Sequence, residues 1–200
     1  MVSRLESAAA TRRSLLDAAA ELLDSGGPDA VTLREVAARA GVSRGAPYRH
    51  FPDKDSLLTT VATEALERLG NRVRSVRAQT ALPAPDMLRR ALAELMAIGR
   101  DQPHLYRLMF EYPVGDPTVV ADATLAGERA EAEFFTLITD LVGPDRAPHF
   151  AALLLASVHG ITAMELTGHL TKEKWQVTAE ELVATLVAMI ARQATAPSTD

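Results

Sequence analysis

The sequence predicts an all-α protein of about nine helices, and three observations carry that prediction. First, apolar residues recur at helical spacing. Leu15, Ala19, Leu22 and Leu23 share one face, as do Ala62, Leu66, Leu69, Val73 and Val76. The pattern returns in Leu88, Ala91, Leu92, Leu95 and Ile98, in Phe134, Leu137, Ile138 and Leu141, and in Leu182, Leu186 and Ile190. Second, the period-two alternation of a half-buried strand is absent, and the strand-favouring aromatics are only 4% of the chain. Third, helix start and stop signals fall between the periodic runs.

Gly26-Gly27-Pro28 ends the first helix. Thr32-Leu33-Arg34-Glu35 is a capping box, in which the Thr32 hydroxyl accepts from the Glu35 N–H and the Glu35 carboxylate reaches back. Gly41 stops this second helix after about two turns, and Ser43 is placed to cap a third. Pro47 then falls inside the third helix as its fourth residue, where it removes a backbone donor. Gly45 weakens the same helix, so packing rather than propensity is expected to hold it. Pro52-Asp53 opens a long fourth helix to about Arg77. A connection over 80–85 leads to a fifth helix capped by Asp86, and Asp101-Gln102-Pro103 restarts the chain as a sixth. Asp116-Pro117 pairs an N-cap with Pro at the first helical position and opens a seventh. Gly143-Pro144 separates it from an eighth, up to Gly168, and the capping box Thr178-Ala179-Glu180-Glu181 opens a ninth. The punctuation divides the chain into an N-terminal helical part at 1–52, a connecting helix at 53–78, a second helical part at 79–194, and a flexible tail at 195–200.

Composition removes several classes. Apolar residues at 48% and charged residues at 24% are globular values and exclude a disordered chain. The absence of cysteine excludes disulfide frameworks, Cys-based zinc sites, iron–sulfur clusters and thiol catalysis, and it fits the reducing cytoplasm, the expected location. The first six residues, Met1 to Glu6, lack the apolar region of a signal peptide. The longest uninterrupted apolar runs, 150–156 and 187–191, fall far short of the ~20 residues of a membrane span, so no membrane is expected as a partner. The net charge of −5 conceals a split. Residues 1–80 carry 12 basic and 10 acidic side chains, whereas 81–200 carry 9 and 16. The sharpest basic stretch sets Arg39, Arg44, Arg49 and Lys54 against Asp53 alone, with His50 beside them, which points to an N-terminal part that meets an anion.

Residues 32–51 read TLREVAARAGVSRGAPYRHF. Two short helices meet at a turn on Gly41, Ala37 is small enough for close approach, and Val36, Ala40 and Val42 can bury against a supporting helix. This is the helix-turn-helix pattern, whose second helix enters the major groove. From Ser43 onward the exposed face carries Arg44, Gly45, Tyr48 and Arg49, with Lys54 at the start of the next helix. Arginine can pair with guanine or phosphate, whereas Tyr and Lys more often hold the backbone and set register.

Over residues 8–58 the chain resembles the tetracycline-repressor (TetR) family of bacterial regulators, in the support helix, Thr32-Leu33-Arg34-Glu35-Val36-Ala37, Ala40-Gly41-Val42-Ser43, Tyr48-Arg49-His50-Phe51 and Lys54-Asp55-Ser56-Leu57-Leu58. The resemblance implies a homodimer with two N-terminal DNA-binding units, here 1–52, and a divergent helical C-terminal ligand-binding and dimerisation domain, here 79–194, that binds a small molecule and forms the dimer. By motif position, DNA contact would fall on Thr32, Arg44, Gly45, Ala46, Pro47, Tyr48, His50 and Lys54, with Pro47, where the family often has Leu or Ile, in a packing role. Val158-His159-Gly160 with Leu166-Thr167-Gly168-His169 is similar to a subgroup named for a Trp-His-Gly motif, with Val158 in place of the Trp.

Elsewhere, Gly41-Val42-Ser43-Arg44-Gly45 matches a nucleophile elbow in letters but follows a helix rather than a strand, so neither a catalytic residue nor enzymatic activity is expected. Asp101 with His104, and Glu165 with His169, offer two metal ligands each, too few for a site, and no cofactor is expected. His104, Arg107, Met109, Phe110, Tyr112, Phe134 and His159, with Tyr106 and Trp175, could line a mostly apolar cavity. Leu154, Val158, Ile161, Leu182, Leu186 and Ile190 on the last two long helices are expected at a two-fold four-helix interface. The sequence thus predicts a transcriptional repressor released from a palindromic double-stranded DNA operator by a small-molecule effector. The rival is a helical small-molecule carrier or enzyme with a vestigial DNA-binding unit.

Overall fold

The computed structural model describes residues 4–79 and 81–195. Among them the chain is helical and contains no strand. Its helices are α1 (Arg4–Ala30), α2 (Leu33–Arg39), α3 (Lys54–Arg77), α4 (Ala84–Asp101), α5 (Pro103–Phe110), α6 (Pro117–Val142), α7 (Ala147–Leu166), α8 (Lys172–Trp175) and α9 (Ala179–Thr195), with a 3-10 turn at Pro47–Arg49 between α2 and α3. Of the expected tail, only Thr195, the last residue of α9, falls among the described residues.

The helix starts follow local chemistry. Thr32, in extended conformation, accepts from the Glu35 N–H at 3.1 Å and caps α2. Asp53 accepts from the Ser56 N–H at 2.7 Å and caps α3, and Asp116 accepts from the Thr118 N–H at 2.9 Å ahead of Pro117. At α9 the capping box is reciprocal: Thr178 N–H donates to the Glu181 carboxylate at 2.7 Å and Glu181 N–H donates to the Thr178 hydroxyl at 3.2 Å. Three details differ from the sequence expectation. In α1 a backbone kink at Gly27 (φ 69°) is followed by one more turn through Pro28 to Ala30. The α4 helix begins at Ala84, before Asp86, because the Pro83 carbonyl accepts the Asp86 and Met87 N–H groups; Asp86 therefore lies in the first turn, where its charge suits the helix dipole. The single-turn α8, capped by the Thr171 hydroxyl, was not foreseen, being too short for a periodic signal.

The chain divides into two compact units, Met1–Leu66 with Gln102–Gly127, and Glu67–Asp101 with Glu128–Asp200. In the first, α1 packs on α2 and α5 around a core of Leu15, Leu16, Ala19, Leu23, Val31, Val36, Phe51, Leu57, Val61 and Leu105. Each such large side chain contributes about 1.5–3 kcal/mol when fully buried. The segment before α6 is bound to α3 within this unit. Thr59 Oγ1 donates to the Val114 carbonyl at 2.7 Å, and the Asp116 N–H donates to Ser56 Oγ at 2.9 Å. Between them Gly115 adopts φ 116°, and a Cβ there would lie 2.7 Å from the Ser56 nitrogen.

In the second unit α4 packs on both α7 and α9, and α7 packs on α9. Leu88, Leu92, Leu95, Met96, Leu137, Leu154, Val158, Val183, Val187 and Ile190 fill the interior. The α7 helix is long and apolar enough to cross a membrane by length and composition, with a mean hydropathy of 1.3 over its most apolar stretch. Uninterrupted runs miss this, because Ser157, His159, Gly160 and Thr162 break the run without adding acid; Glu165 is the sole acidic or basic residue other than histidine in its 20 residues. Its buried Leu154, Val158 and Thr162 pack inside the unit. Glu133 on α6, 9% exposed, accepts from Arg74 Nε at 2.7 Å and Arg77 at 3.1 Å. Burial pushes the Glu133 carboxyl up, but the two guanidinium hydrogen bonds outweigh it and hold the group below the ordinary carboxylate range.

Two stability predictions follow from these contacts. Gly115→Ala should destabilise the protein by about 1–3 kcal/mol, since it adds both a strained φ and an overlap with backbone; thermal unfolding should fall by about 2–4 °C per kcal/mol. Glu133 has a folded pKa below its unfolded value, so its contribution is present above an unfolded pKa of about 4.3 and is lost as pH falls through the folded value. The gap in melting temperature between wild type and Glu133→Gln should therefore be wide at neutral pH and close as the solution is acidified through the carboxylate range.

Candidate nucleic-acid interface and apolar cavity

The turn after α2 is built from the backbone outward. Ala40 N–H donates to the Val36 carbonyl at 2.9 Å, Gly41 takes φ 68°, and Val42 N–H donates back to the Ala37 carbonyl at 3.0 Å. A left-handed residue is required there, and glycine adopts that conformation without strain. The expected third helix is shorter than the sequence suggested. Residues 43–46 form a turn, with Ala46 N–H on the Ser43 carbonyl at 2.9 Å, and the only helical segment is the 3-10 turn from Pro47. Ser43 does not cap an α-helix, and Pro47 is not interior to one. It is the first residue of its turn, where a missing N–H leaves no internal bond broken. Its carbonyl accepts from His50 at 2.9 Å and Phe51 at 2.8 Å.

Pro47 is buried, so its side chain packs inward rather than facing a ligand. Phe51, 2% exposed, anchors the far end of the turn in the core, with the Arg12 guanidinium 5.2 Å over its ring. Outward, Thr32, Arg44, Gly45, Tyr48 and Arg49 are exposed, and Ala46, His50 and Lys54 are half-buried. Tyr48 is 64% exposed, so its ring is accessible on the same face as Arg44 and Arg49. Arg44, Arg49 and Lys54 form no ion pair among the described residues, whereas Arg39, counted in the same basic stretch, is held by Glu21 at 3.0 Å. Lys54 is also the first residue of α3, directly after the Asp53 cap, so its charge lies at the start of that helix.

The second unit holds an apolar cavity of about 610 Å3 between α4, α6 and α7. Leu92 and Leu95, Phe134, Phe135 and Ile138, and Leu154 and Leu155 form its walls; Ala132, Ala151 and Ala152 are the small side chains that leave the space open. Its charged lining is Glu128 and Glu131. Of the residues expected at a ligand site, Phe134 lines this cavity and His159 lies elsewhere on α7. His104, Arg107, Met109 and Phe110 belong to α5 of the first unit, and Tyr112, beyond it, is 95% exposed, so the lining does not contain them. Tyr106 is buried with its ring 4.9 Å from Phe110, and Trp175 is half exposed with its indole N–H on the His169 carbonyl. The alanines of α6 and α7 were the sequence signal for the space, but nothing in a single helix shows which alanines face each other.

The expected interface residues Leu154, Val158 and Ile190 prove to be interior to one chain, at 1%, 0% and 2% exposure, while Ile161, Leu182 and Leu186 are half-buried. The exposed stripe of α7 is instead Leu153, Ala156, Gly160 and Met164, at helical spacing, and α9 exposes Ala188 and Met189. No group of three or more His, Asp or Glu able to hold a metal occurs among the described residues. Glu165 is taken by Arg100, through two hydrogen bonds of 2.9 and 2.8 Å, and His169 Nδ1 is 3.0 Å from Thr167 Oγ1.

Comparison with known proteins agrees with this geometry. The HTH-type transcriptional repressor KstR of Rhodococcus jostii is 28% identical over 130 residues, 64% of this chain and 60% of that protein. The HTH-type transcriptional activator FasR of Mycolicibacterium smegmatis is 33% identical over 129 residues, 64% of this chain and 58% of that protein. The chain thus aligns with about three fifths of the length of these relatives. Among solved structures, a TetR transcriptional regulator from Rhodococcus sp. RHA1 superposes with a TM-score of 0.63 at 23% identity, covering 92% of this chain and 97% of that one. FadR from Bacillus subtilis in complex with stearoyl-CoA superposes with a TM-score of 0.66 at 12% identity, covering 90% and 97%. The family model described as bacterial regulatory proteins, tetR family, matches residues 15–61, and that of the tetracyclin repressor-like C-terminal domain matches residues 88–190. With more than half of its length so matched, the chain belongs to the TetR family of bacterial regulatory proteins.

Proposed function

We propose that the protein is a cytoplasmic, ligand-responsive transcriptional repressor that binds a palindromic operator as a homodimer. The observation that carries this reading is the outward set Arg44, Tyr48, Arg49 and Lys54, without an ion pair among the described residues and mounted on a buried Pro47–Phe51 anchor. Thr32, Gly45, Ala46 and His50 complete the contact surface; Pro47 supports it from beneath. Two such surfaces would enter successive major grooves about 34–36 Å apart. The DNA-binding part is assigned to 1–52, α3 to the connection, and 79–194 to ligand and dimer. In this reading the dimer forms through the exposed stripe Leu153, Ala156, Gly160 and Met164 with Met189, and an effector enters the α4–α6–α7 cavity. The stearoyl-CoA bound by the FadR homologue supports the general idea of a ligand in this fold; at 12% identity it does not transfer as an effector. FasR is named an activator, so activation is the alternative sign of control.

Selection of bound fragments from random DNA tests the reading directly: enrichment of a palindrome is expected, and no enrichment would return the chain to a carrier with a vestigial N-terminal unit. On the selected operator, Arg44→Ala should cost about 1–3 kcal/mol and relax one base position, and Lys54→Ala should reduce the salt slope by about one. Equal losses for Arg44→Ala on operator and random DNA would make Arg44 a phosphate contact instead. Gly160→Arg should give a monomeric mass in light scattering with an unchanged helical spectrum, because a Cβ at Gly160 meets no atom within 4 Å in the single chain. A dimer that survives the substitution moves the interface elsewhere.

A further inference from the structure

The cavity between α4, α6 and α7 has walls of one kind and charges of one sign. Leu92, Leu95, Phe134, Ile138 and Leu154 surround the space, and no Lys, Arg or His lines it. Glu128 and Glu131, one helical turn apart on α6, are its only charged groups among the described residues. Neither makes an ion pair or a hydrogen bond among the described residues, so no described side chain neutralises either charge. Glu133, two residues on, shows the contrast: it is held by Arg74 and Arg77. Arg129 lies between the two carboxylates in sequence but does not line the cavity. Its volume of about 610 Å3 lies within the usual range for small-molecule sites.

From this charge pattern we infer that the cavity takes a lipophilic cation: an apolar body seated between α4, α6 and α7, with an ammonium-type head directed to Glu128 and Glu131. The physics discriminates among three heads on one tail. All three gain the same burial of hydrocarbon. A quaternary ammonium head is weakly hydrated, so it is stripped of water at little cost, and two carboxylates attract it. A hydroxyl head gains no charge term. A carboxylate head meets two like charges with no cation to offset them, and like-charge juxtaposition opposes binding. The acidic excess of residues 81–200, 16 against 9, adds to the same bias at longer range. The inference deepens the repressor reading, because it takes this cavity as the effector site.

The test titrates decyltrimethylammonium, decanol and decanoate, each below its micelle concentration, into the full-length protein by calorimetry. The ammonium should bind most tightly and the carboxylate least, with the ammonium preference shrinking as salt is added. Glu128→Gln with Glu131→Gln should weaken the ammonium by about fivefold or more and leave decanol unchanged. Both side chains are exposed, so the fold does not depend on them. Ala132→Phe, at an exposed wall position, should weaken all three probes by filling the space. Decanoate binding as tightly as the ammonium, an order indifferent to the glutamines, or no binding by any probe would overturn the inference. Release of the selected operator is measured separately: a protein that binds the ammonium through Glu128 and Glu131 but selects no DNA would keep this ligand class and lose the repressor reading.

Discussion

The surface proposed to meet DNA depends on the burial of Phe51 and Pro47 beneath it. A segment as short as Arg44 to His50, with Gly45 and Pro47 in it, has no helical stability of its own. Its backbone is fixed from below. The Pro47 carbonyl accepts two N–H groups, and the chain that leaves it inserts Phe51 among Leu15, Leu16, Val36 and Leu57. The directions of Arg44, Tyr48 and Arg49 are therefore set by how α1, α2 and α3 pack. Truncating a buried phenylalanine costs about 3–5 kcal/mol, a large share of a typical total of about 5–15. A reading surface tied to the core in this way does not need to order itself on binding, which removes an entropic cost from association.

Charge placement follows the same division of labour. Arg13 is shared between Asp17 and Glu64, Arg39 is held by Glu21, and Arg100 by Glu165 and Glu180. Arg44, Arg49 and Lys54 have no such partner among the described residues. In water an exposed ion pair gains about 0–1 kcal/mol, so leaving three cations unpaired costs the fold little. It matters to a polyanion, because each phosphate that a free cation neutralises releases a counterion. In the proposed function a chain of net charge −5 would thus meet DNA through one locally cationic face.

What was legible in the sequence was what neighbouring residues decide. The Thr32 cap, the reciprocal box at Thr178 and Glu181, the Asp116-Pro117 start and the left-handed Gly41 are fixed by contacts within a few positions, and they stand where the spacing placed them; the Glu35 carboxylate makes no return bond to Thr32 among the described residues. The third helix was illegible for a physical reason: the choice between an α-helix capped by Ser43 and a 3-10 turn starting at Pro47 is made by the burial of Pro47 and Phe51. The burial of Leu154 and Val158 within one chain was illegible for another reason. The α7 helix is apolar on nearly every side, so a 3.6-residue period cannot distinguish buried Leu154 from exposed Leu153. The cavity was hidden because it is made by absence. Ala132 and Ala151 lie on different helices, and the gap exists only once α6 and α7 are packed.

In the proposed mechanism the ligand must act through the chain itself. Two helices, α3 and α6, each contribute residues to both compact units, and the cavity draws on the part of α6 from Glu128 to Ile138. The other part of α6 is preceded by Val114 and Asp116, which hydrogen-bond to Thr59 and Ser56 on the first turns of α3, next to Lys54. A shift of α6 along its axis would pull on Ser56 and Thr59, and Gly115, pressed against the Ser56 backbone, leaves little slack for that segment to absorb it. The energy available is bounded by the ligand's differential affinity for the two states of the cavity; couplings of about 1–3 kcal/mol change DNA affinity about 5–150-fold. A charge-selective head contact suits that requirement. Apolar walls hold a tail in either arrangement with similar energy, whereas two carboxylates on α6 favour whichever position of the helix brings both to the cation.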